Sequence, residues 1–393
     1  FTQCARLADP EGAGKARLLI VGGSSAGRGV VTSASYEARA YGVRAGMPTA
    51  MALRRCPGAM VVPVPRGVVS DRSRAVMAVL ARHAPRFQQS SVDEAYLDLT
   101  GTEALHGHEP LADTARRIRD AVLRETGFAV SFGGGTNRLI AKMAVEVAKP
   151  KPGTDATGVH VVPPGEEGAF MTRFALADIP GVGPVAAERL AKVGLRTVPD
   201  VLAIDEPSLR QMLGPREAEW LARKARGIDR SPVQERERQK SVSREDTFPR
   251  DLHGDAEIAA ELGRLVEKVV ADLRADRMAA RRVVVKLKSA DFRIRQKSCT
   301  LRAPVQTPQA VHPVAAELLA RLRAEWRVPV RLAGVSLELL EPAAEALAQL
   351  SMFDAPVAST APPVETERDR KLADAVDAIR ARYGAGVLRP GRG

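Results

Sequence analysis

Aromatic residues are scarce in this 393-residue sequence, about 4% of the total, which excludes a surface that works mainly by ring stacking. Cysteine is scarcer still. Cys4, Cys56 and Cys299 are widely separated and show no C-x-x-C spacing, so neither a disulfide framework nor a thiolate zinc site is indicated, and a reducing cytoplasm fits. The six histidines have no metal-ligand spacing either. No apolar run approaches the roughly 18 residues needed to span a bilayer, and the stretch from Leu18 to Val21 is strand-sized. No membrane segment is expected. The sequence opens at Phe1 without a basic and then apolar leader, and reads as a fragment rather than a secreted precursor.

Positive charge is what the chain has in excess. Fifty-nine Lys and Arg stand against 47 Asp and Glu, a net +12 with a pI near 10, which favours a polyanionic partner, nucleic acid first. The length predicts two to four domains at roughly 100–200 residues each. Strand signals at 18–21 and 29–32, helix signals after Ser33 or Ser35 and after Pro48, helical periodicity over 70–83 and 111–125, and extended patterns over 86–99 and 128–133 describe an α+β region. From 166 to 230 strand signals fade and a helical module is predicted. Residues 231–240, SPVQERERQK, read as a basic tether. A second α+β pattern follows: strand near 241–248, helix 255–275, strands 281–288 and 293–301, helix 309–325, strand 330–339. Residues 341–366 are rich in Ala and Pro and read as a flexible tail. Leu372, Val376, Ile379 and Tyr383 then recur at helical spacing.

Three segments carry candidate chemistry. SVDEAYLDL at 91–99 sets Asp93 and Glu94 side by side before an alternating run. Neighbouring strand residues face opposite ways, so both reach one metal pair only at a strand start or turn. Acidic oxygens there suit two Mg²⁺ ions in phosphoryl transfer to a growing strand, although such a dipeptide is equally at home in a solvated turn. SASYEARAYGVRAGMPTAMAL at 33–53 places Tyr36 and Arg39 three apart on a capped helix, with Arg44 following, a set able to grip a triphosphate. SFGGGTNRLIAKMAVEVAKPKPG at 131–153 adds Lys142 and Lys149 on a strand-turn-helix, able to neutralise phosphate.

In this order and at these separations the three segments resemble the palm and finger signatures of Y-family DNA polymerases of the DinB type. The similarity covers roughly residues 1–353. It implies an α+β, multidomain right-hand polymerase: a ferredoxin-like palm (1–10 and 76–165, its first strand missing), small fingers (11–75), a helical thumb (166–230), a linker (231–240), an α+β little finger (241–340) and a tail (341–393). It implies that Asp93 and Glu94 are the metal-binding and catalytic pair, that Tyr36, Arg39 and Lys149 contact the triphosphate, and that Phe1, last aromatic of the family's opening motif, is the steric gate against a ribose 2′ hydroxyl. The Asp that bridges both metals is then expected upstream of Phe1, and the chain as given is expected to bind DNA but polymerise poorly. Where the family usually has Val-Glu, this chain reads Cys4 and Ala5. The implied activity is translesion DNA synthesis of low fidelity on primer–template DNA with dNTPs and two Mg²⁺, by a cytoplasmic monomer. A catalytically inactive relative that keeps DNA and clamp binding is the alternative, and a helix-hairpin-helix repair nuclease or glycosylase is a weaker one.

IPGVGPVAAERLAKVGL at 179–195 is itself a helix-hairpin-helix signature, with the backbone of Gly181, Val182 and Gly183 placed to seat a DNA phosphate before Pro184 opens a helix. In the little finger, Arg293, Arg295 and Lys297 alternate along one strand and share a face, with Lys286 and Lys288 nearby, as phosphate-tracking cations. QLSMF at 349–353 resembles the pentapeptide by which bacterial polymerases dock on the sliding clamp, with Gln349, Leu350, Met352 and Phe353 as anchors. Trp220 and Trp326 read as packing residues.

Overall fold

The computed structural model describes residues 1–150, 153–234, 239–344, 365–384 and 387. The chain divides into two compact units, Phe1–Glu237 and Arg238–Gly393. Among the described residues no helix is long and apolar enough to cross a membrane.

The first unit begins with α1 (Thr2–Ala8), β1 (Leu19–Gly22), β2 (Val31–Ala34), α2 (Tyr36–Ala40), α3 (Thr49–Arg55) and β3 (Met60–Val62). β1 is central, antiparallel to β2 and parallel to β3. Its period-two alternation sends Ile20 into a cluster with Val31, Ala38, Val43 and Ala52, and Leu19 and Val21 into another with Ala5 and Ala13. Burial on both faces explains why this strand reads as a continuous apolar run. Ser35, one of two caps proposed from the sequence, is the one used: its side chain accepts from Ala38 N at 3.3 Å.

Next come α4 (Arg66–Ala81), β4 (Arg86–Gln89), β5 (Ala95–Asp98), α5 (Leu111–Thr126), β6 (Phe132–Gly134), α6 (Arg138–Ala148) and β7 (Val159–Val161). Among the described residues the strands form two pairs, antiparallel β4–β5 and parallel β6–β7. Helices α4 and α5 cover Phe87, Ala95, Leu97 and Phe132 with Met77, Leu80, Ile118 and Val122. The helical module is α7 (Glu167–Met171), α8 (Pro184–Lys192), α9 (Val198–Leu202), α10 (Glu206–Leu213) and α11 (Pro215–Ala225). Its core takes in Leu139, Ile140, Met143 and Ala144 from α6. One helix thus carries residues for two sub-structures.

The second unit is a four-stranded antiparallel sheet in the order β10-β9-β11-β8, built from β8 (Ser241–Leu252), β9 (Met278–Ser289), β10 (Ile294–Val305) and β11 (Val330–Pro342). Helices α12 (Asp255–Ala275) and α13 (Pro308–Glu325) share one apolar core with the sheet, and among the described residues its other face carries no helix, as antiparallel sheets permit. A last helix, α14 (Glu367–Tyr383), belongs to the same unit.

The apolar stripe expected on α14 is not what docks it. Leu372, Ile379 and Tyr383 remain exposed, whereas Ala373 is buried. Asp377 grips Arg274 of α12 with both oxygens, at 2.7 and 2.8 Å, and Arg380 approaches Glu267 at 3.8 Å. Arg274 is only 7% exposed in its side chain, so a carboxylate must meet it. That requirement outranks the exposed apolar residues in orienting the helix.

Candidate active site and nucleic-acid interface

Asp93 and Glu94 lie on an exposed turn that leads into β5, the backbone setting that lets adjacent carboxylates share a ligand. The turn is held from several sides. Ser90 N and Ser91 N both donate to Glu94 O, at 2.9 and 3.1 Å, Ser91 Oγ donates to Asp93 Oδ1 at 2.6 Å, and Ser73 Oγ of α4 donates to Val92 O at 2.5 Å. Lys142 of α6 forms an ion pair with Glu94. Lys142, read from the sequence as a phosphate neutraliser, therefore meets the acidic turn itself. Asp98 is excluded from this group. It accepts from Thr100 Oγ1 at 2.6 Å and Thr100 N at 3.0 Å, bonds that with Arg86 hold its carboxyl below the usual range. Among the described residues no three or more acidic, His or Cys side chains gather where they could hold a metal. The carboxylates of Asp93 and Glu94 are the oxygen donors the turn offers, and Lys142 demonstrates that a cation is welcome there.

Tyr36 opens α2 and Arg39 lies one turn on, its guanidinium 5.5 Å from the Tyr36 ring centroid. Arg39 Nε donates to Ala34 O at 3.0 Å, which fixes the fork against β2. Arg44 takes a different part from the one its position suggested, donating to Arg39 O and Val43 O at 2.9 and 3.0 Å and so closing the turn after α2. Pro150 biases its predecessor away from helical backbone. Lys149 accordingly leaves α6 in an extended conformation and pairs with Glu146. Phe1 packs with Ala5, Ala13, Leu19 and Val21. Among the described residues no hydrogen bond or ion pair joins the Tyr36–Arg39 pair to the Asp93–Glu94 turn.

The helix-hairpin-helix turn forms as expected, with Gly183 as N-cap and Pro184 as first residue of α8. Gly181 has φ +101°, and a Cβ there would meet the Trp220 ring at 2.8 Å, so glycine is required twice over. Val182 departs from its expected place among the phosphate contacts. The residue is 7% exposed and its N–H donates to Ile179 O at 2.9 Å, because the tight turn needs that bond. Gly181 and Gly183 are exposed.

Register separates the cations of the second unit. Lys286 stands opposite Gln296 and Lys288 opposite Ile294, whereas Arg295 stands opposite Leu287 and Lys297 opposite Val285. Directly opposed residues share a face. Arg295 and Lys297 thus take the helix-covered side, where Arg295 lies 5.4 Å from the Trp326 ring and Lys297 donates to Glu325 at 2.6 Å. Lys286 and Lys288 take the open side. Lys286 reaches Glu245 across Gly334, whose missing side chain leaves the passage: a Cβ there would lie 2.7 Å from Glu245 Cγ. Arg293 precedes β10 and pairs with Asp291 at 3.0 Å. Arg331 and Phe292, absent from the sequence reading, join this surface, and only strand pairing reveals them. Gln349, Leu350, Met352 and Phe353 lie outside the described residues.

Residues 1–146 match the impB/mucB/samB family, residues 239–352 its C-terminal domain, and residues 177–229 the DNA polymerase-iota thumb domain. The chain is similar to the DNA polymerase IV of Halorhodospira halophila, 39% identical over 82% of this chain and 88% of that protein. It is 36% identical to the DNA polymerase IV of Caulobacter vibrioides over 95% of this chain and 87% of that one. Among solved structures it resembles a Y-family DNA polymerase chimera of Dbh and Dpo4, with a TM-score of 0.74, 28% identity, and 86% and 96% of the two chains covered. An insertion ternary complex of Dbh DNA polymerase matches with a TM-score of 0.58 at the same identity, over 86% and 95%. With an acidic turn, a capped Tyr–Arg pair and a helix-hairpin-helix all in place, and with identities above 30% along most of the chain, this protein belongs to the Y-family DNA polymerases of the DNA polymerase IV type.

Proposed function

We propose that the chain carries out template-directed addition of deoxynucleotides to a primer 3′ end, in translesion synthesis, with Asp93 and Glu94 as its metal-binding and catalytic carboxylates. The observation that carries this is the turn itself: two exposed, adjacent carboxylates held by serine and backbone hydrogen bonds, one of them already drawing the ammonium of Lys142. Hard carboxylate oxygens suit Mg²⁺, and two such ions supply activation of the 3′ hydroxyl and neutralisation of the departing pyrophosphate. Tyr36, Arg39 and Lys149 grip the triphosphate, Arg39 from a guanidinium fixed by Ala34 O. Phe1 is the gate against a 2′ hydroxyl. Gly181 and Gly183 seat a template or primer phosphate without reading sequence, and the little finger adds backbone contacts. Residues 349–353 serve as the sliding-clamp peptide of a monomeric enzyme.

Primer extension with Mg²⁺, by the chain extended upstream of Phe1 to include the expected first metal-binding Asp, tests the carboxylates. Asp93→Asn and Glu94→Gln should each lower the rate at least about 100-fold, since several kcal/mol of charge stabilisation rest on the metal pair, while duplex DNA affinity changes by less than about threefold. Equal rates for the variants and the parent would overturn the assignment.

A further inference from the structure

Tyr36 and Arg39 stand on a helix of only five residues, α2, far below the length at which a helix holds itself in water. Both residues are exposed. Arg39, whose Nε donates to Ala34 O at 3.0 Å, has no acidic partner among the described residues, unlike Lys149, which pairs with Glu146. Neighbouring structure must therefore fix the pair in place. After α2, Arg44 donates to Arg39 O at 2.9 Å and Arg55 of α3 donates to Gly42 O at 3.1 Å. Before it stands Ser35.

Ser35 is 6% exposed, and its hydroxyl has one proton to donate and two lone pairs with which to accept. All three are used. Leu19 N and Ala38 N donate to Ser35 Oγ at 3.2 and 3.3 Å, and Ser35 Oγ donates to Arg17 O at 3.0 Å. Ser35 N adds a bond to Leu19 O at 2.9 Å. Leu19 is the fully buried first residue of β1, so one side chain ties the first turn of an exposed helix to the central strand of its sheet. An N-cap needs only the bond from Ala38 N. The bonds to Leu19 and Arg17 go beyond capping, and they fix where α2 sits against β1.

We propose that Ser35 is a positioning residue for the incoming triphosphate: its hydroxyl aligns α2 with β1 and thereby sets where Tyr36 and Arg39 meet the phosphate oxygens. The proposal rests on the triphosphate reading of those two residues given above and names what holds them. Arg39 recognises phosphate with a planar fork, whose value depends on angle as well as distance. A displacement of about 1 Å is enough to impair such a site, and a helix fixed beforehand reduces the ordering lost when the ligand arrives. Being buried, Ser35 acts through the pair. Its effect falls on nucleotide binding rather than on the chemistry assigned to Asp93 and Glu94.

Steady-state primer extension with Mg²⁺ and a single dNTP, by the chain extended upstream of Phe1 to include the expected first metal-binding Asp, tests this. Inorganic tripolyphosphate serves as a competing probe that carries phosphate oxygens but neither base nor sugar. Ser35→Ala should raise KM for the dNTP about tenfold and the inhibition constant of tripolyphosphate in proportion, with kcat within about threefold of the parent. Ser35→Asn, which keeps both an acceptor and a donor at the cap, should return both constants to within about threefold of the parent values. Ser35→Cys preserves the volume with much weaker hydrogen bonding, stands in if Ser35→Ala does not fold, and should raise KM at least about threefold. Unchanged KM and inhibition constant in Ser35→Ala or Ser35→Cys would overturn the proposal, and so would a fall in kcat alone, which is what a purely structural defect gives. A Ser35→Asn variant as weak as Ser35→Ala would overturn it too. If instead Arg39→Ala left KM and the inhibition constant at parent values, the triphosphate reading itself would fail, irrespective of Ser35.

Discussion

Glu94 and Lys142 come from segments 48 residues apart and meet as an ion pair, which no local pattern announces. The carboxylate pair itself was legible, because the geometry of adjacent strand residues left a turn as the one place where both could act. Arg331 was not. Its link to Phe292 runs through the pairing of β11 with β9, a contact between residues 39 apart that depends on register rather than on motif. Glycine 181 shows how much one residue can hold: its positive φ and the Trp220 ring above it leave no space for a methyl group. Gly181→Ala should destabilise the protein by about 1–3 kcal/mol, measurable in urea melts, and weaken duplex binding together with it.

Helix boundaries in the second unit followed the sequence closely. Ile258, Leu262, Leu265, Val266, Val269 and Leu273 are all buried along α12, and this stripe with Gly254 ahead of it defines the element. Strand ends did not follow, since β9, β10 and β11 run past their apolar patterns. There the backbone ladder continues, pairing Ala279 with Glu341 and Ala280 with Leu340, and hydrogen bonding asks nothing of side-chain polarity. In the thumb, Thr197 and Asp200 form a capping box at the start of α9. Thr197→Ala should cost about 1 kcal/mol in chemical denaturation. Bonds from Arg196 N and Thr197 N hold the Asp200 carboxyl below its ordinary value of 3.8. A lowered folded value means that the stabilisation is complete above that ordinary value and lost as pH falls through the lower, folded one. The melting-temperature gap between the parent and Asp200→Asn should therefore be steady from neutral pH to about pH 4 and shrink below it.

At the level of the molecule, two units with separate cores carry a net charge of +12. Two cores predict that residues 239–393 fold when expressed alone, with α14 protected from hydrogen exchange. Asp377→Ala strands Arg274 without its counter-ion, and the expected outcome is loss of that protection over 367–383 with the sheet unaffected, read by exchange mass spectrometry.

The docking of α14 has a topological corollary. Ala343 is bonded to Arg277 O and Glu365 accepts from Gln306 N, so the intervening stretch departs from and returns to the same small domain. Residues 343 and 365 are thereby both moored to one and the same fold.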